Sequence, residues 1–215
     1  MESLYRQHIR KNNKEAPKRN SILLGLLLFW NLSGHILSAQ SNTSLTYPSL
    51  RTNDKATECF INQCLLYLGT TEQPKGSNWG KDIKPMLASV GINFPAPWCA
   101  AYVAIVLRNT STPYPYSGFV PNWSRGVWKE KVVFDKRKAA RSVLPTEVRR
   151  GDIGTIYFSS LNRDAHIFVI LGVTPKGSLI TIEGNTNEDG GREGYMVAVR
   201  VRELWQVSKV IRLIE

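Results

Sequence analysis

Near Asp152 the apolar pattern of this 215-residue chain changes period, and that change restricts the possible folds more than any other feature. Beyond it, Ile153 to Phe158, Ala165 to Val173, Leu179 to Glu183, Met196 to Arg202 and Val207 to Leu213 are apolar or β-rich runs separated by Gly, Pro, Asn and Ser. Such runs read as short strands joined by turns. Before Asp152 the pattern is helical. One helix is expected from Asp54 to Leu68, stopped by Gly69, and a second from Asn78, a favourable N-cap, to Val90, with Gly91 past its end. A third begins near Pro97, because proline suits a helix's first turn but not its interior. From Ala100 to Leu107 it is apolar all round, so it is expected to be buried. Helices first and a strand meander second indicate an α+β domain, with N-terminal helices packed on a C-terminal antiparallel β-sheet. Residues 54–215 are too few for two ordinary cores, so they are read as one domain.

The start of the chain reads differently. Arg6, Arg10, Lys11, Lys14, Lys18 and Arg19 precede the apolar run Ile22 to Trp30, which leads to Leu37-Ser38-Ala39-Gln40. Basic, then apolar, then small is the order of a signal peptide over residues 1–39, with cleavage after Ala39. An uncleaved anchor is the competing reading, since no charged residue occurs from Ser21 to Gln40. Residues 40–53 read as a linker rich in Ser, Thr and Asn. Both readings export the rest of the chain, with membrane contact only through an uncleaved N-terminal segment.

Loss of residues 1–39 removes six positive and two negative charges, so the formal balance falls from +11 to +7. Between Arg125 and Arg150, nine Lys or Arg face only Glu130, Asp135 and Glu147. Such a segment either attracts polyanions such as wall polymers and lipid head groups or is a solvated face. No interleaving of aromatic and basic residues marks a nucleic-acid module. From Asn109 to Asn122 a stretch dense in Pro, Ser, Thr and Tyr predicts an irregular surface excursion carrying Tyr114, Tyr116 and Phe119. Cys59 and Cys64 lie five apart on the first helix, where they cannot face each other, and are expected to be free and mostly buried.

Cys99 falls in the first turn of the third helix. There the free N–H groups and the helix dipole favour thiolate over thiol, and the thiolate is the nucleophile. The plainer alternative is a small buried hydrophobe. A nucleophilic cysteine needs a base, and after residue 39 the one histidine is His166, set in the apolar strand Asp164 to Leu171. A core histidine satisfied by backbone is the alternative there. The next run, Ile180-Thr181-Ile182-Glu183-Gly184-Asn185, follows a hairpin turn over 173–178. An even hairpin loop places His166, Glu183 and Asn185 on one face, whereas an odd loop without a bulge puts the carboxylate on the other. A carboxylate among apolar strand residues is costly unless paired. The order nucleophile, histidine, Glu or Asn matches the papain-like arrangement.

Taken together, these pieces resemble the cysteine, histidine-dependent amidohydrolase/peptidase (CHAP) family over Glu58 to Arg202. The resemblance is carried by Gly69-Thr70-Thr71-Glu72 with Asn78-Trp79-Gly80, by Pro97-Trp98-Cys99-Ala100-Ala101, and by His166 followed seventeen residues later by Glu183-Gly184-Asn185-Thr186. It implies a papain-like fold, Cys99 as nucleophile, His166 as general base and acid, Glu183 orienting the imidazole and Asn185 in support. Ala165 stands where this family commonly has glycine. The implied activity is that of an exported bacterial enzyme, secreted or periplasmic. It would cut peptidoglycan either between muramic acid and the stem peptide or within the peptides. The Cys99 backbone N–H plus a second donor, for which Asn93 is a candidate, would hold the oxyanion. Trp98, with Tyr102 and Tyr195, is expected to wall the cleft. No acidic cluster resembles a calcium loop and no Cys or His spacing fits a metal, so neither metal nor cofactor is expected, and the protein is read as a monomer. A silent wall-binding module and an acyl transferase or deamidase on the same triad are the rival readings.

Overall fold

The computed structural model describes residues 54–187 and 194–214, so the leader and linker read at residues 1–53 lie outside the described residues. The first helix, α1 (Lys55–Leu65), starts where Asp54 caps it: the carboxylate accepts from the Ala56 N–H at 3.1 Å and the Thr57 N–H at 2.9 Å. Thr57, Phe60, Ile61 and Cys64 form its buried face at helical spacing. Cys59 falls outside that stripe. The expectation of two buried thiols therefore holds for Cys64 alone, while Cys59 is exposed, and both are free. Burial pushes the Cys64 thiol up to about 12.

The second helix, α2 (Ile83–Ala88), is shorter than the sequence suggests. Asn78 is no N-cap: its φ is +52°, in the left-handed region. Gly80 has φ +136°, and a Cβ there would lie 2.9 Å from the Gln73 backbone nitrogen. Here the chain folds back on itself, the Gln73 N–H donating to the Trp79 carbonyl at 2.9 Å, and the helix begins only after this loop. The third helix, α3 (Cys99–Asn109), is buried from Cys99 through Ala104 and starts two residues after Pro97.

The strands are β1 (Val132–Asp135), β2 (Ile153–Phe158), β3 (Arg163–Val173), β4 (Leu179–Thr186), β5 (Met196–Arg202) and β6 (Val207–Ile211). They form one antiparallel sheet in the order β1-β6-β2-β3-β4-β5, so the fold is α+β. Five strands match the sequence-predicted runs; β1 is the addition. It arises inside the basic segment, between a 3₁₀ turn at Gly126–Lys131 and the short helix α4 (Lys136–Ala139). Alternate residues of the central strand divide the core. Ile167, Val169 and Leu171 join the cluster that contains the buried faces of α1, α2 and α3. Phe168 and Ile170 instead join Phe134, Val143, Val148, Val207 and Val210.

The β3–β4 hairpin decides what can meet His166. Val173 pairs with Leu179, leaving the five-residue loop Thr174–Ser178, an odd length. The register then shifts between Ile170 and Gly172, so that Ile170 faces Thr181 and Val169 faces Ile182. This bulge restores the parity that an even loop would give, and His166 shares a face with Glu183.

Candidate active site

The start of α3 is fixed by a buried polar cluster. The Trp98 backbone N–H donates to Asn185 Oδ1 at 3.3 Å, and its indole Nε1–H donates to Glu72 Oε1 at 2.8 Å. Glu72 Oε2 accepts from the Asn78 N–H at 2.9 Å. Asn185, itself left-handed with φ +53°, donates through Nδ2 to the Gly194 carbonyl at 2.8 Å and to Asn78 Oδ1 at 3.2 Å. Two left-handed asparagines thus tie the 72–80 loop to the end of β4 and to the residue before Cys99.

Asn185 therefore engages the approach to the nucleophile rather than the imidazole. Trp98 and Tyr102, expected along the cleft, are both 0% exposed, so neither ring is open to a substrate. Their polar atoms explain this placement: the indole is satisfied by Glu72, and the Tyr102 hydroxyl donates to the Cys64 carbonyl at 3.0 Å. Gly184 packs beneath both rings, where a Cβ would lie 2.6 Å from Tyr102 Cβ and 2.9 Å from Trp98 Cζ3. Gly184→Ala is accordingly expected to cost about 1–3 kcal/mol of stability through overpacking, measured as a shifted denaturation midpoint with unchanged slope. Asn93 lies exposed in the loop before α3, and Tyr195 is half-buried beneath the Lys75 ammonium, 3.9 Å from its ring centre.

Cys99 opens α3 with its Sγ 4.0 Å from the carbonyl of Ala165, the residue before His166. His166 Nε2 lies 2.8 Å from Glu183 Oε2, which leaves Nδ1 as the ring nitrogen not bound by the carboxylate. Glu183 is wholly buried. Its Oε1 accepts from Thr181 Oγ1 at 2.7 Å and from Arg202 Nε at 2.8 Å, and its Oε2 accepts from Arg202 Nη2 at 2.6 Å. Arg202 and Thr181 are the site residues the sequence reading missed. The signal was present, since a buried carboxylate demands a cation, and Arg202 ends the strand neighbouring Glu183's own.

The charges are mutually set. Burial opposes a charged His166, but the Cys99 and Glu183 side chains outweigh it and raise the imidazole from its ordinary 6.5 to about 9. Burial likewise opposes ionised Glu183, yet the Arg202 fork and His166 hold it well below the usual carboxylate range. An imidazole whose charged form is favoured by a carboxylate on one nitrogen can take the proton of a cysteine sulfur and later return it. Among the described residues, no group of three His, Cys, Asp or Glu side chains is placed to hold a metal ion.

Compared with protein-family models and with curated proteins, the chain matches none.

Proposed function

We propose that the protein is an exported thiol amidohydrolase of papain-like arrangement, resembling the CHAP family, that cuts an amide bond of bacterial peptidoglycan. The reading rests on one observation: the head of a buried helix places Cys99 Sγ 4.0 Å from the carbonyl beside His166, whose Nε2 lies 2.8 Å from the fully buried Glu183. His166 takes the Cys99 proton and the sulfur attacks the amide carbonyl. The C–N bond then breaks, and the amine departs with the proton returned by the imidazole. Water attacks the thioester under the same base, releasing the acid and restoring the thiol. The Cys99 backbone N–H, at a helix start without an intrahelical acceptor, is one oxyanion donor. Asn93, exposed before α3, is the candidate for the second. Glu183 holds the ring and Arg202 holds Glu183.

The test is incubation of the chain with purified sacculi while released amines and peptides are followed. Hydrolysis predicts products heavier by one water, dependent on Cys99. Added amine in place of water would favour the transferase reading, and retention on sacculi without cleavage the binding module. A pH profile gives a second check. Activity that needs the imidazolium is expected to fall on the alkaline side with a midpoint near the His166 value of about 9. Glu183→Gln removes the anion that favours this cation, so its limb is expected at lower pH. An unmoved limb in kcat/KM would assign the titration to another group.

A further inference from the structure

Arg163 and Asp164 immediately precede the Ala165 whose carbonyl lies 4.0 Å from Cys99 Sγ. They also line a pocket of about 160 Å³ together with Arg125, Arg137, Asn162 and Lys209. Among the described residues none of the three guanidinium groups has a carboxylate partner. The one carboxylate present, Asp164, is committed through Oδ2 to Lys209 Nζ at 2.7 Å. Three unpaired positive charges around so small a space repel one another unless an anion joins them.

Two of the three are nevertheless held in place. The Arg137 guanidinium lies 4.3 Å over the Tyr157 ring, and that of Arg163 lies 4.9 Å over Phe119. Cation–π seating fixes their direction before any ligand arrives, which lowers the cost of binding one. Asp164, the pocket's carboxylate, is 7% exposed and sits beside these groups. Guanidinium groups call for an oxyanion. A carboxylate brings a single negative charge, whereas a phosphate brings more and would be set harder against the Asp164 carboxylate.

We propose that this pocket is a substrate subsite for a free carboxylate of an acidic peptide. The assignment rests on the amide-hydrolase reading for its relation to the scissile bond. Across a bulge at Ala165, Arg163 and His166 pair with Phe158 and Ile156, two strand steps or about 7 Å apart, so the carboxylate belongs about two residues along the peptide from the bond that is cut.

Binding to the Cys99→Ala chain tests the subsite without calling on catalysis. The probes are an acidic tetrapeptide prepared from sacculi and the same peptide with its carboxylates converted to carboxamides, titrated calorimetrically. The acid form is expected to bind at least about tenfold more tightly. Arg125→Gln/Arg137→Gln, two exposed positions, is expected to bring the acid form to the affinity of the amide form while leaving the latter unchanged. Equal affinity of the two peptides for the parent chain, or a preference that survives the double substitution, overturns the proposal. Inorganic phosphate that displaces the acidic peptide at comparable concentration overturns it in favour of a phosphate site. If the preference is found but the native chain cuts no amide in sacculi, the carboxylate site stands and the hydrolase reading falls.

Discussion

Cys99→Ala and His166→Ala are each expected to lower amide turnover by about 10⁴-fold or more, and the double variant to be little worse than either. The two groups act as one unit: without the imidazole the sulfur keeps its proton, and without the sulfur the imidazole has nothing to activate. Losses of this kind do not add. Neither change should unfold the chain, since Cys99 is a small residue at a helix start and loses one sulfur atom. Retained far-ultraviolet circular dichroism would establish that. Cys59→Ser provides the contrast, because the thiol lies exposed on α1 outside its buried stripe, and turnover there is expected to match the parent chain. Losses in the two single variants that multiply in the double variant would mean that Cys99 and His166 serve separate steps, and the proposed chemistry would fail.

Much of this arrangement was legible in the sequence because it is written in periodicity. The bounds of β2 and β5 and the start of α3 follow from runs whose apolar spacing and flanking breakers agree. What was not legible is where tertiary contacts override local signals. Asn78 looks like a helix N-cap, yet its side chain is needed by Asn185, more than a hundred residues away, and the helix starts later. Val132–Asp135 is too short and too hemmed by Lys and Arg to read as a strand, and becomes one only because β6 presents an edge to it. Trp98 and Tyr102 read as cleft walls, whereas buried acceptors for the indole and the hydroxyl allow both to sit in the core. The hairpin exposes the limit most clearly. Loop length alone would have put Glu183 on the face away from His166, and a one-residue bulge reverses that outcome.

Arg202→Met is expected to destabilise the protein by about 3–5 kcal/mol, the cost of leaving a buried carboxylate without its cation. Methionine keeps most of the aliphatic stem, so the loss reports on charge more than on volume. Arg202 is itself buried, and its fork contributes both contacts to Glu183, at 2.8 and 2.6 Å, that solvent cannot replace. Glu183→Gln/Arg202→Met should recover a large part of the deficit, because the charge leaves with its partner. The pH dependence distinguishes this mechanism from simple repacking. Glu183 is held below its ordinary 4.5, so its contribution is present above that value and is lost as pH falls through the lower folded-state value. In Arg202→Met the carboxyl takes up its proton more readily. The deficit relative to the parent chain should therefore be largest above about pH 5 and shrink toward acid. His166 works in the opposite sense: raised to about 9 from 6.5, it stabilises fully below 6.5 and loses that contribution as pH rises through 9. Denaturant titrations of both chains from about pH 3 to pH 7 separate the alternatives, since a deficit that stays constant across that range would mean that Arg202 acts through its packing and not through the charge it gives Glu183.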